Sequence, residues 1–256
     1  MEIKNYKSRL IDKKIELYLK IFGSILIEGP KWCGKTWSAR HNAKSEFLLA
    51  DSKGNFNNKK MAMMDPDLAL KGEYPHLIDE WQEVTSIWDA VRNSVDADNV
   101  KGKFILTGST SVDKSKYIHS GCGRIARIRM RPMSLFESGY SNGKVSLKDI
   151  CNNAAPSLMT GEVELERLLK YIIIGGWPSI SDPNVKENYY IAREYINAVI
   201  NEDIYKTDSV KRDKHKVELL LRSLARNEAT TVTNKKLKED IKEKDFDDIS
   251  IDTVTD

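Results

Sequence analysis

Residues 21 to 36 read Ile21-Phe22-Gly23-Ser24-Ile25-Leu26-Ile27-Glu28-Gly29-Pro30-Lys31-Trp32-Cys33-Gly34-Lys35-Thr36. An apolar run suited to a buried strand leads straight into Gly29-x4-Gly34-Lys35-Thr36, the spacing of a phosphate-binding loop that opens a helix. The chemistry needs these residue types. A backbone that curls around a phosphate chain must point several N–H groups inward, and a Cβ would intrude, so Gly29 and Gly34 carry the turn. Lys35 brings a point charge to the β and γ phosphates. The Thr36 hydroxyl offers a hard oxygen to Mg2+ at the positive end of the helix. The loop itself, Gly29, Pro30, Lys31, Trp32, Cys33, Gly34, Lys35, Thr36 and Trp37, is the predicted nucleotide contact. Trp32 and Trp37 flank it and read as packing residues more readily than as stacking partners of a base.

Outward from this loop, the chain alternates strand and helix patterns. An amphipathic helix is predicted over 8–20 and strands near 22–28, 47–51, 76–80, 103–108 and 124–130. Helices fall at 35–43, 66–70 and 86–95, and a polar loop at 52–60. Apolar strands with few alternations, separated by helices, predict an α/β fold with a parallel sheet buried between helices. From about 134 the chain reads mostly helical, with Gly175-Gly176-Trp177-Pro178 as a helix stop. The predicted organisation is a P-loop core over 1–133, a helical region over 134–228, and an incomplete helix-turn-helix over 229–256. Its first helix is capped at Thr233 or Asn234, its second begins near Ser250, and residues after 228 are expected to be loosely ordered.

Lys and Arg number 41 against 38 Asp and Glu, too even a balance to argue for nucleic acid on charge alone. Cys33, Cys122 and Cys151 are far apart and form no CxxC pair, which argues against a zinc site or a disulfide framework. His41, His76, His119 and His215 have no ligand spacing either. There is no signal-peptide pattern and no run long enough to span a bilayer, so a cytoplasmic protein without membrane contact is expected.

The second group of candidate residues follows the strand at 76–80. Asp79 ends an apolar stretch and should emerge at the C-terminal edge of the sheet, where open α/β sheets bind ligands, as a second metal-side group beside Thr36. Glu80, the next residue, is placed to deprotonate a water molecule. Thr107 and Ser109, after the fourth strand, could hold that water or touch the γ phosphate. Arg124 follows a flexible Gly-rich turn and could neutralise charge on the γ phosphate, with a neighbouring subunit as its natural recipient. Arg127, Arg129 and Arg131 share one strand face and read as solvated.

The phosphate loop, Leu77-Ile78-Asp79-Glu80-Trp81-Gln82, Phe104-Ile105-Leu106-Thr107-Gly108-Ser109 and Ser120-Gly121-Cys122-Gly123-Arg124-Ile125, in this order, resemble the prokaryotic AAA-superfamily ATP-binding proteins with a C-terminal domain of unknown function. The likeness continues through Gly175-Gly176-Trp177-Pro178 to Glu202-Asp203-Ile204. The resemblance implies a five-stranded parallel sheet of order 5-1-4-3-2, Lys35 and Thr36 in the first ATP motif, Asp79 and Glu80 in the second, Thr107 to Ser109 as the sensor strand, and Arg124 as the arginine after the Gly-rich turn. It also implies that ATP rather than GTP is bound. The family usually continues through a winged helix and a nuclease-like domain, so a C-terminally truncated member is expected.

These readings predict a Mg2+-dependent ATPase acting as a switch or small oligomeric machine, with ATP, ADP and Mg2+ as ligands and a homo-oligomer as the assembly. The alternative is a nucleotide-gated DNA-binding or signalling module with little turnover, in which DNA is a partner only of a complete C-terminal domain. A small-molecule phosphotransferase is disfavoured by Glu80.

Overall fold

A computed structural model describes residues 6–108, 121–154, 161–180, 187–204 and 213–255. The chain separates into two units, Met1–Asn188 and Tyr189–Asp256. The boundaries expected at 133 and 228 fall within these units. Residues just past 133 are tied to the core: the Met133 amide donates to the Gly176 carbonyl at 2.6 Å, and Glu137 pairs with Arg9.

The first unit is built on five parallel strands, β1 (Ser24–Glu28), β2 (Ser45–Leu48), β3 (His76–Asp79), β4 (Phe104–Gly108) and β5 (Ile125–Arg129). Their order is β2-β3-β4-β1-β5, the predicted order read from the other edge. Registers align Ser24 with Phe104 and Ile125, and Glu28 with Gly108 and Arg129, so the strands end level at the edge that carries the phosphate loop. Alternation splits the core into two layers, as the pleat requires. Leu26, Ile78 and Leu106 pack against Ile87, Trp88, Val91 and Val95 of α4 (Ser86–Asp98). Ile25, Ile27, Leu77, Ile105 and Ile128 face Ile15 of α1 (Asp12–Ile21) and Ala39 of α2 (Lys35–Asn42). Apolar residues on both faces mark a fully covered parallel sheet.

The polar stretch read as a loop over 52–60 instead enters α3 (Lys53–Met64). Gly54, Asn55 and Phe56 hold left-handed conformations, and the regular turns follow them. The Asn-rich opening hid the run Lys59-Lys60-Met61-Ala62-Met63-Met64, whose residues are strong helix formers. The second strand also starts earlier than expected, at Ser45, and Leu49 is buried beyond its end. Past the sheet lie α5 (Leu147–Cys151) and α6 (Leu165–Ile174), the latter stopped at Gly175 with φ 67°.

The second unit holds most of α7 (Asn188–Ala198), a π-helical turn over Val199–Asp203, and helices over Lys214–Arg226, Asn234–Lys244 and Ile251–Thr255. Leu219, Ile241 and Ile249 form its small core. The stretch after 228, expected to be loosely ordered, is anchored by Asp240, which accepts from Ser223 Oγ at 2.6 Å and Arg226 Nη2 at 2.7 Å. Thr233 is the cap: its Oγ1 accepts from the Lys236 amide at 3.3 Å. Ser250 Oγ likewise accepts from the Thr253 amide at 3.1 Å. Among the described residues no helix is long and apolar enough to cross a membrane.

Candidate nucleotide site

The turn between β1 and α2 has the backbone that its glycines permit. Gly34 holds φ 98° at the start of α2, and a Cβ on Gly29 would lie 2.5 Å from the Met130 carbonyl oxygen. A side chain at either position is excluded, by conformation at the first and by collision at the second. Trp32 also has a positive φ of 65°, a strained state for a bulky residue. Both tryptophans are more exposed than core packing residues would be, Trp32 at 60% and Trp37 at 50%. Cys33 is buried, and burial pushes its thiol up from the ordinary value.

Lys35 is buried, and its Nζ donates to the carbonyls of Gly29 and Pro30, both at 3.0 Å. The ammonium therefore sits inside the turn. Next to it, Thr36 Oγ1 donates to Asp79 Oδ1 at 2.8 Å. The same carboxylate oxygen accepts from Thr107 Oγ1 at 2.5 Å, and Thr107 Oγ1 in turn accepts from the Glu80 amide at 3.1 Å. Thus residues at the ends of β3 and β4 and the start of α2, predicted separately, meet on one oxygen. Thr107 is fully buried, so its single proton is committed to Asp79 and its lone pair fixes the backbone of Glu80. Ser109, the other hydroxyl candidate, lies outside the described residues.

Glu80 turns the chain out of β3 with φ 56° and ψ 48°. A non-glycine residue held there is uncommon, and such strain collects at functional sites. Burial pushes its carboxyl above the usual range, opposed by a hydrogen bond from Gln82 Nε2 to Glu80 Oε2. Gln82 was not singled out from sequence, although its place two residues after Glu80 was on view.

Arg124 is elsewhere. It precedes β5, and its carbonyl accepts from the Ser24 amide at the beginning of β1, so it occupies the N-terminal edge of the sheet. The strand length puts it roughly 17 Å from the loop end of β1. There its Nε pairs with Asp96 at 2.7 Å, which raises the guanidinium's pKa. Arg127, Arg129 and Arg131 are exposed as expected, and Arg127 contacts Glu28 at 2.5 Å and lies over the Trp88 ring.

Sequence reasoning also missed Arg9, which is bonded to the loop backbone, and its partner Glu137. Arg9 Nη1 donates to the Cys33 carbonyl at 2.7 Å, Nη2 to the Arg131 carbonyl at 2.8 Å, and Nε to Glu137 Oε1 at 3.0 Å. Burial would raise the Glu137 carboxyl, but donors from the Ser134 amide, the Leu10 amide and Arg9 hold it below the usual range. The partners are 24 to 128 residues apart in sequence, and no local pattern announces them.

Comparison with known proteins bears on the fold and its family. Residues 22–138 match the AAA domain family, and residues 165–254 match a domain of unknown function. A search of curated proteins found no match. Among solved structures, the Walker-type ATPase of Pyrococcus abyssi is similar over 98% of this chain and 96% of its own, with a TM-score of 0.50 and 14% identity, which bears on the fold. The loop and sheet order of this chain and these matches fit an AAA-superfamily P-loop protein with a C-terminal domain of unknown function.

Proposed function

We propose that this chain binds ATP with Mg2+ at the C-terminal edge of its sheet and hydrolyses it to ADP and phosphate. The observation that carries the reading is the convergence of Thr36 and Thr107 on Asp79 Oδ1 beside a buried Lys35. The donor set suits the cation. Cis ligands of an octahedral ion with bonds of about 2.1 Å lie about 3 Å apart, and Thr36 Oγ1 and Asp79 Oδ1 are 2.8 Å apart. Mg2+ held by these residues would offset charge on the phosphate oxygens.

The protein's own groups supply the rest. Phosphate oxygens are stronger acceptors than the Gly29 and Pro30 carbonyls, so Lys35 would exchange toward them while staying within the turn. Water attacks the γ phosphorus, the bond to the β,γ-bridging oxygen breaks, ADP departs, and the water proton passes to Glu80. A carboxylate with a raised pKa is a better base for that proton, and burial raises this one. Thr107 holds the Glu80 backbone so that the carboxylate keeps its aim. Arg124 lies too far from its own loop to act there, so in this reading it serves a neighbouring subunit's nucleotide.

Glu80→Gln tests the reading. Turnover should fall by about 10²- to 10⁴-fold while ATP remains bound, read as ADP formed and as retained nucleotide on the same samples. Undiminished turnover would remove Glu80 from the role of base. A second reading, a nucleotide-gated DNA-binding module, draws on the helix Asn234–Lys244, which exposes Lys235, Lys236, Lys242 and Lys244. DNA affinity that falls steeply with salt and changes between ATP and ADP would favour it.

A further inference from the structure

The contacts of Arg9 reach the phosphate loop through its backbone. The Arg9 side chain is 4% exposed and its guanidinium joins three distant segments: the loop at Cys33, the exit of β5 at Arg131, and Glu137. Glu137 is itself held by the Leu10 amide at 2.9 Å, the Ser134 amide at 2.8 Å and Ser134 Oγ at 3.0 Å. The Arg9 amide donates to Asp12 Oδ2 at 2.7 Å, at the start of α1. Main chain and side chain are both pinned, so the guanidinium has one place to be.

Its hydrogen bond to the Cys33 carbonyl has a geometric consequence. The Cys33 C=O and the Gly34 N–H belong to one planar trans peptide, and in such a unit they point in opposite directions. The carbonyl is drawn toward the guanidinium, so the Gly34 N–H is turned away from it, and N–H groups at the start of a helix are suited to bind an anion. A guanidinium on that oxygen also polarises the peptide and makes the N–H a stronger donor. Gly34 leaves room for this arrangement: a Cβ there would stand 3.3 Å from Arg9 Nη1.

We propose that Arg9 is a positioning residue of the phosphate site, clamping the Cys33 carbonyl so that the Gly34 N–H faces the phosphates of a nucleoside di- or triphosphate. This rests on the nucleotide-binding reading above, and the test separates the two. ADP affinity is measured in EDTA by the fluorescence of the exposed Trp32 and Trp37, for the full chain and for Arg9→Ala, Arg9→Lys, Glu137→Gln and Lys35→Ala. Secondary structure is checked by circular dichroism.

Arg9→Ala should weaken ADP by about ten- to hundredfold, the range for a lost hydrogen bond to a charged donor. Millimolar guanidinium should restore part of the loss, and equal sodium chloride should not. Arg9→Lys, with one point charge in place of a fork, should lie between, and Glu137→Gln should show a smaller loss. In hydrolysis the loss should fall on KM, with kcat nearly kept. A residue that only holds the N-terminal segment in place would lower the melting temperature without these effects. The proposal is overturned if folded Arg9→Ala or, should that variant not fold, folded Arg9→Lys binds ADP within about twofold of the parent while Lys35→Ala abolishes binding. Binding by the parent that Lys35→Ala leaves intact would overturn the nucleotide reading instead, and this proposal with it.

Discussion

The two ends of the parallel sheet are built from the same strands and hold opposite kinds of polar group. At the C-terminal edge, buried Lys35 and Thr107, strained Glu80 and the shared oxygen of Asp79 are held by one another and by the loop backbone. At the N-terminal edge the charges close on themselves. Arg124 pairs with Asp96, and buried Lys103 caps α4 by donating to the Ser94 carbonyl at 2.8 Å and to Asp98 Oδ2 at 2.7 Å. Buried His76, its pKa lowered by burial, hydrogen-bonds Ser45 Oγ and the Ala69 carbonyl. The C-terminal edge holds the bulky Trp32 and Glu80 at positive φ, whereas Arg124, Lys103 and His76 at the N-terminal edge are paired.

Substitutions at matched positions can break that contrast. Thr107→Val keeps the shape and deletes the hydroxyl shared by Asp79 and Glu80. ATP turnover should fall by about tenfold or more with ADP affinity nearly unchanged, as steady-state and binding assays would show; an unchanged rate would mean that the Thr107 link does not aim Glu80. Lys103→Met, at the other edge, should cost stability alone, about 1 kcal/mol for the lost hydrogen bond to the Ser94 carbonyl, seen in urea unfolding, with nucleotide affinity kept. If affinity fell as well, the two edges would be coupled.

The smallest effect concerns pH. The folded-state pKa of Glu80 is raised, chiefly by burial, so its favourable contribution is present below its unfolded pKa and is lost as pH rises through the folded value. Glu80→Gln should therefore melt higher than the parent at neutral pH, with the gap closing as pH falls toward the ordinary carboxylate range. A gap that widens on acidification would mean that Glu80 is a stabilising ionised group.

What could be read from the chain was local. The phosphate loop is contiguous, Asp79 and Glu80 end one strand, and Thr107 ends another, so each announced itself within a few residues. Their meeting needed only that the strands be parallel and level. Arg9 and Glu137 were invisible because their signal is an ion pair across 128 positions in a stretch that reads as an ordinary amphipathic helix. Gln82 stands two residues past Glu80, but a glutamine so placed is unremarked unless the turn at Glu80 is known to bring its amide back to the carboxylate. The opening of α3 was lost to its left-handed Gly54, Asn55 and Phe56, where composition favours a loop and the regular turns begin only afterwards.

Hydrolysis of ATP at the C-terminal edge is the property that separates an ATPase from a nucleotide-binding switch. It is read by steady-state hydrolysis of Mg-ATP across a range of protein concentrations, with Lys35→Ala as the control. Turnover should disappear in Lys35→Ala and should rise per subunit with concentration if a neighbour supplies the arginine. Turnover that survives in Lys35→Ala, or none at any concentration while nucleotide stays bound, would contradict it.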